Sequence, residues 1–226
     1  MPNLARPYGL RRFALPWLML DAALPSRCFS CRTRLGSTQA LGACRGCWMS
    51  LSPALEVTPI PVGGATVTSA VHYDELARRY LLRAKFGRRR ELFEPMGAMI
   101  LAAFRSVPFR PSCIVPVPSH PWMTWSRGFT PSREIARVVS RSTGVPMRAL
   151  LYRRWFPWKS FKRLNRSARR TLAARAFGHL PGLHGQSVLL IDDLMTSGNT
   201  LAECVRLCSQ AGANEIHGLV WAKAVF

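Results

Sequence analysis

Apolar and polar residues alternate along this chain with more than one period, and each change of period marks an element. The plainest signal lies near the C-terminal end. Residues 187–191, Ser-Val-Leu-Leu-Ile, form a nearly unbroken apolar run, the pattern of a central parallel strand buried on both faces. The run is expected to stop at Asp192-Asp193. Residues 194–199 then read as a loop of small and hydroxylated residues. Residues 200–208 place Leu201, Cys204, Val205 and Cys208 on one helical face. Ala211-Gly212 closes that helix, and residues 216–222 form the next strand. This is a β-loop-α-β unit of an α/β fold, in which ligands sit at the carboxyl ends of the strands.

Upstream the pattern predicts more of the same sheet. Residues 65–73 alternate and are rich in Val and Thr. Residues 74–86 are helical, with Leu76, Tyr80, Leu81 and Ala84 on one face and Gly87 at the end. Residues 91–104 predict a second helix, and residues 113–117 a short buried strand running into a loop. Thr130-Pro131 opens a further helix, Thr as N-cap and Pro in the first turn. A brief strand is expected at residues 149–152. Residues 52–64, with Pro53, Pro59, Pro61 and Gly63-Gly64, read as a linker. The apolar run at residues 13–20 follows Arg11-Arg12 but is broken by Pro16 and stopped by Asp21. It predicts a short helix rather than a cleaved leader. No window reaches the roughly 18 apolar residues of a membrane span, so a cytoplasmic chain is expected. The domain reading is a tail at 1–22, a cysteine module at 23–54 and an α/β domain at 55–226.

Charge changes this picture. The 226 residues carry 32 Lys and Arg against 11 Asp and Glu, a net of +21. The last 50 residues hold a net of −2, which leaves +23 on the first 176. Between Arg148 and Arg175 stand ten basic residues and no acidic one. Tyr152, Trp155, Phe156, Trp158 and Phe161 are interleaved with them. Such a field attracts polyanions, and aromatics in a basic groove suit single-stranded nucleic acid. The other reading is that the aromatics are core and the arginines a solvated face. The candidate contacts are Arg154, Trp155, Trp158, Lys162, Arg163, Arg166 and Arg170.

Two constellations carry candidate chemistry. Cys28-Phe-Ser-Cys31 and Cys44-Arg-Gly-Cys47 are separated by twelve residues, the spacing of a four-thiolate zinc ribbon. Four cysteines leave no open coordination position, so the zinc is structural. The remaining cysteines, Cys113, Cys204 and Cys208, read as strand or core residues. His120 follows the Val115-Pro-Val-Pro118 segment with no evident partner. The second constellation is the strand end itself. A helix N-terminus offers unpaired N–H groups to an anion. Gly198 lets the backbone come close, and Thr196, Ser197 and Thr200 supply hydroxyl donors. Asp192 and Asp193 would repel a phosphate, so they are expected to face the hydroxyls of a sugar. The implied ligand is a ribose 5-phosphate, held by Asp192, Asp193, Leu194, Met195, Thr196, Ser197, Gly198, Asn199 and Thr200.

Val188 through Thr200 resembles, at every position, the phosphoribosyl-pyrophosphate (PRPP) motif of type I phosphoribosyltransferases. With the four-cysteine module in front, the chain resembles the ComF family, associated with DNA uptake in natural transformation. Ala23-Leu-Pro-Ser-Arg-Cys28 is similar to the family's approach to its zinc module, and Tyr73-Asp-Glu-Leu…Lys85-Phe86 to its helix ending in an exposed Lys. Val115-Pro-Val-Pro118 with Arg127-Gly128-Phe129 resembles its pyrophosphate-side loop, which implies roles for Val117, Pro118, Ser119 and Arg127. Arg169 and Phe177 fall where the family has an Arg and a later Phe. The chain departs from the pattern at Met123, at Thr130-Pro131 and at Phe161, where the family shows Arg, Asn-Gln and Gln.

The resemblance implies a ComF-like protein assisting uptake or processing of single-stranded transforming DNA, with PRPP or a nucleotide as ligand. Other DNA-uptake or recombination proteins are implied as partners. An active phosphoribosyltransferase remains a rival, with Asp192 and Asp193 as catalytic residues and Mg²⁺ accompanying PRPP. The departures thin the polar groups on the pyrophosphate side and leave the ribose-phosphate side intact. A zinc-dependent adaptor on a degenerate enzyme fold is the third reading.

Overall fold

The computed structural model describes residues 27–28, 30–35, 42–51, 60–87, 90–154 and 176–224. The helix expected at 13–20 and the basic residues from 155 to 175 lie outside these. The chain divides into two compact units, Met1–Met49 and Ser50–Phe226.

The first unit holds a small cluster of Cys28, Leu35 and Ala43, with Cys44, Cys47 and Trp48 packed against it. A bridge between Arg27 and Arg34 closes one turn, and helix α1 (Arg45–Met49) carries Cys47.

The second unit is built on a five-stranded sheet. Its strands are β1 (Ile60–Val62), β2 (Ala65–His72), β3 (Cys113–Pro116), β6 (Ser187–Met195) and β7 (Glu215–Lys223), in the order β1-β2-β7-β6-β3. Only β1 is antiparallel to its neighbour. Strands β4 (Leu151–Arg153) and β5 (Phe177–His179) form a separate antiparallel pair. The helices are α2 (Glu75–Phe86), α3 (Phe93–Phe104), α4 (Pro121–Arg127), α5 (Pro131–Thr143) and α6 (Asn199–Gln210).

Strand residues alternate between faces, and both faces are covered. Val188 and Leu190 share a buried cluster with Leu201, Cys204, Val205 and Cys208 of α6 and with Leu151 and Phe177 of the small pair. Residues of the opposite parity meet α2, α3 and α5; Trp221 packs against Tyr80 with ring centroids 5.5 Å apart. Helix α2 starts where Asp74 accepts a hydrogen bond from the Ala77 N–H at 2.7 Å.

Four expectations change. Strand β6 does not stop at the aspartates but runs to Met195, because β7 continues beside it and pairs Asp192 with Val220, Leu194 with Ala222 and Met195 with Lys223. The expected linker contains β1, which lies along β2 across a turn at Gly63 and Gly64, both at positive φ. The helix expected from residue 91 begins as a 3₁₀ turn, Arg90–Leu92. The α-helix starts at Phe93, which puts Pro95 in the first turn, where a missing N–H costs nothing. The segment after Pro118 is not all loop: α4 forms, with His120 as its N-cap accepting from the Trp122 N–H at 3.2 Å.

Candidate functional site

The four cysteine sulfurs of the first unit lie within 4.8 Å of one another. Cys31 Sγ and Cys44 Sγ are 3.5 Å apart, far beyond a disulfide bond of about 2.05 Å. Four sulfurs at about 2.3 Å from one tetrahedral zinc would be about 3.8 Å from each other, so the cage has the right dimensions for a metal ion. Its construction is local. Arg32, at φ 65°, turns the first knuckle, where the Arg32 N–H donates to the Cys28 carbonyl at 3.1 Å. In the second, the Trp48 N–H donates to the Cys44 carbonyl at 2.9 Å. The Thr33 hydroxyl, 3.2 Å from Cys31 Sγ, favours its thiolate and lowers that thiol to about 6. These cysteines could hold a metal.

The second constellation forms at the end of β6. Because strand side chains alternate, Asp192 and Asp193 leave on opposite faces. Asp192 follows Leu190 toward α6 and lines a small cup of about 30 Å³ with residues 194–201. The rim is made by Thr196, Ser197, Asn199 and Thr200, all exposed. Gly198, at φ 75°, is the N-cap of α6 and has no side chain with which to cap it. Its first N–H groups, which have no partner within a helix, therefore face the cup. Burial and the neighbouring Asp193 charge raise the Asp192 carboxyl well above the usual carboxylate range, and Lys85 opposes this.

Asp193 turns to the other face. Its Oδ2 lies 2.5 Å from Lys85 Nζ, with side chains 11 % and 18 % exposed. Lys85 is therefore not the exposed helix-end lysine that the resemblance implies. The last turn of α2 delivers it to the β6 carboxylate, and the pair shields it. Arg127 joins this corner. Its guanidinium stacks on the Phe86 ring at 4.5 Å, and its Nε is buried with no hydrogen-bond partner among the described residues. Burial lowers the Arg127 guanidinium from its ordinary value, and Asp193 partly restores it. The turn that presents it is fixed. Gly128 ends α4 at φ 75°, Arg90 donates to the Gly128 carbonyl, and Phe129 meets Phe93 edge-on at 5.4 Å.

Val117, Pro118 and Ser119 leave β3 beside β6 and line a larger cleft of about 480 Å³. Arg154 is exposed next to the small strand pair. Trp155, Trp158, Lys162, Arg163, Arg166 and Arg170 lie outside the described residues. Sequence reasoning missed three participants: the Lys85 partnership, the Phe86 platform and the exposed Trp122–Trp125 pair on α4. The first two depend on elements distant in sequence. The tryptophans are adjacent to the Pro-rich loop and were readable only once α4 was known to form.

Residues 126–224 match the family model described as phosphoribosyl transferase domain. The chain is 28 % identical over 117 residues to Competence protein F of Haemophilus influenzae, an alignment covering 50 % of each protein. It is 30 % identical over 83 residues to an amidophosphoribosyltransferase of Drosophila melanogaster, covering 36 % of this chain and 15 % of the relative. The alignments thus span half or less of these relatives' own lengths. Among solved structures, the glutamine PRPP amidotransferase of B. subtilis complexed with ADP and GMP matches 58 % of this chain and 26 % of its own, at 18 % identity and a TM-score of 0.44. The second unit carries a phosphoribosyltransferase-type α/β domain. Four clustered cysteines precede that domain in the sequence, and the chain is similar to Competence protein F over half of its length. No described helix is long and apolar enough to cross a membrane.

Proposed function

We propose that this chain is a ComF-type competence protein that binds PRPP or another ribose 5-phosphate ligand at residues 192–200 and assists the uptake or processing of single-stranded transforming DNA. The observation that carries the ligand is the cup: an uncapped helix N-terminus ringed by exposed hydroxyls, with one partly buried carboxylate inside it. In this reading the first N–H groups of α6 and the hydroxyls of Thr196, Ser197 and Thr200 hold the 5′-phosphate. Asp192 accepts from the ribose hydroxyls. Lys85 keeps Asp193 off the phosphate by pairing with it. Mg²⁺ accompanying PRPP would neutralise the pyrophosphate charge. Asp192 is the one oxygen donor of this pair not committed to Lys85, and a hard cation with few protein ligands keeps water and substrate oxygens. The four cysteines hold a structural zinc.

One observation favours the rival in which PRPP turns over. Arg127 is half-buried and its Nε is buried without a hydrogen-bond partner among the described residues, beside the loop read as the pyrophosphate side. There it would meet the charge that develops on a departing pyrophosphate. Calorimetric titration with PRPP and Mg²⁺, followed by a pyrophosphate-release assay, separates the readings. Binding without release supports a ligand-binding competence protein. Release that disappears in Asp192→Asn and Arg127→Gln supports the enzyme. No heat of binding at millimolar PRPP overturns both.

A further inference from the structure

Helix α4 is out of keeping with the rest of the domain. Its seven residues include Trp122, Met123 and Trp125, yet none of its residues is buried. Trp125 is 75 % exposed and Trp122 54 %. The two rings lie against each other, centroids 5.1 Å apart and planes 34° apart. A tryptophan buried from water stabilises by roughly 1.5–3 kcal/mol or more, and a fold with both sheet faces covered leaves these two outside. The stack is held in place. His120 caps the helix start, the αL Gly128 ends it, and Thr124 Oγ1 sits 3.2 Å from Thr130 Oγ1 at the mouth of α5.

Trp125 also forms one wall of the 480 Å³ cleft. Tyr152 of β4 (41 % exposed) lines it too, while the next residue, Arg153, turns its guanidinium over the Phe177 ring, 5.0 Å from the centroid. Arg133 of α5 lines it as well, and Ser119, Thr124 and Thr130 supply hydroxyls. Among the described residues, no acidic side chain lines the cleft. The nearest acid on α5, Glu134, is already paired with Arg137 at 2.5 Å. The cleft therefore joins two aromatic side chains, the Arg133 side chain and a few hydroxyl groups, in a volume within the range of small-ligand sites. Its charge is complementary to a polyanion. Its aromatics suit flat rings that stack without demanding one base identity, the combination that binds unpaired nucleotides.

We propose that the Trp125–Tyr152 cleft is a stacking site for the unpaired bases of single-stranded DNA, with Arg133 meeting a phosphate that flanks them. This rests on the reading of the chain as a DNA-handling protein and names where on the phosphoribosyltransferase-type domain the strand docks. Its lining shares no residue with the cup of α6.

The test is fluorescence anisotropy of a labelled 15-mer of deoxythymidine with the full-length protein, over a series of salt concentrations. Trp125→Ala and Tyr152→Ala should each weaken binding about 5- to 150-fold, the range for losing one base stack. The dependence on salt should stay as in the parent protein. Arg133→Gln should lower the salt slope by about 0.7, the value for one phosphate contact on a single strand. A 15-bp duplex should not compete at equal concentration. Because Trp125 is exposed, its replacement leaves the core intact; an unchanged thermal midpoint verifies this, and Trp125→Phe should retain part of the affinity. Undiminished affinity in Trp125→Ala/Tyr152→Ala, with affinity lost in Arg163→Glu/Arg166→Glu, overturns the cleft and leaves the DNA-handling reading standing. A dimer that Trp125→Ala dissociates, with DNA affinity unchanged, also overturns it, by assigning the stack to a second copy of the chain. Failure of the parent protein to bind the 15-mer at low salt removes the DNA-handling reading and the cleft with it.

Discussion

The two adjacent aspartates show how much one residue of register decides. Alternation along β6 sends Asp192 to the cup and Asp193 to Lys85, so the two carboxylates have different environments and different tests. Removing one partner of a shielded ion pair leaves an uncompensated charge and costs about 3–5 kcal/mol. Lys85→Met is expected to lower unfolding free energy in urea by about that amount, and Lys85→Met/Asp193→Leu to recover most of it. Asp192 behaves differently. Its raised pKa means that the folded state holds a proton the unfolded chain has released. Stability from this group is full below the ordinary carboxylate value of about 3.9. It declines as pH rises through the raised folded value. Asp192→Asn should remove that decline, so thermal midpoints of the variant and parent should diverge as pH rises above about 4, the variant being the more stable. A ligand that needs the ionised carboxylate should release a proton on binding. Titrations of PRPP and Mg²⁺ in buffers of different ionisation enthalpy should then show different apparent heats, and the difference should vanish in Asp192→Asn.

At the scale of elements, the β6-α6-β7 unit was legible in the sequence because its strand opens on the apolar run Val188–Ile191 and its helix has a clear inner face. The end of β6 was not, because the residues that extend it belong to β7, and strand pairing is invisible in a one-dimensional pattern. Helix α4 was hidden by Pro116, Pro118 and Pro121, which read as loop punctuation; Pro121 takes a first-turn position instead, where its fixed φ suits a helix. Lys85 carried a signal only of its helix, and its partner Asp193 arrives from another strand. The packing of α3 on α5 has a sharper requirement than either sequence showed. A Cβ on Gly97 would lie 2.5 Å from Val138 Cγ1 and 2.6 Å from its Cβ, and a β-branched neighbour has little rotamer freedom to move away. Gly97→Ala is expected to destabilise the domain by about 1–3 kcal/mol, measured by urea unfolding, with Gly97→Ala/Val138→Ala recovering part of the loss. A Gly97→Ala variant as stable as the parent would show that α3 and α5 can separate without penalty.

For the whole molecule, the two units make different demands. Among the described residues, the cysteine unit buries only a small cluster of side chains around Cys28, and a metal bound by four thiolates supplies folding energy directly. Protein purified without chelator should contain near-equimolar zinc, and Cys28→Ser/Cys44→Ser should abolish it. Zinc retained by that variant would contradict the assignment. The net charge of +21 was evident from composition, and a field of that sign attracts polyanions. The position of an aromatic cleft was not, because Trp125, Arg133 and Tyr152 converge from three segments. The phosphoribosyltransferase-type domain is thus framed by a ligand cup at the end of β6 and a basic, aromatic cleft at the end of β3, two adjacent strands. That proximity is in keeping with the proposed coupling of a sugar-phosphate ligand to a DNA strand.

The central claim is that the cup holds a 5′-phosphate, and calorimetric titration with PRPP, ribose 5-phosphate and unphosphorylated ribose addresses it most directly. The parent protein should bind the first two and not the third. Thr196→Ala/Thr200→Ala removes two hydrogen bonds to a charged group, each worth about 1.5–3 kcal/mol, and should reduce both affinities at least tenfold. Equal affinity of parent and variant, or ribose binding as tightly as ribose 5-phosphate, would contradict the account.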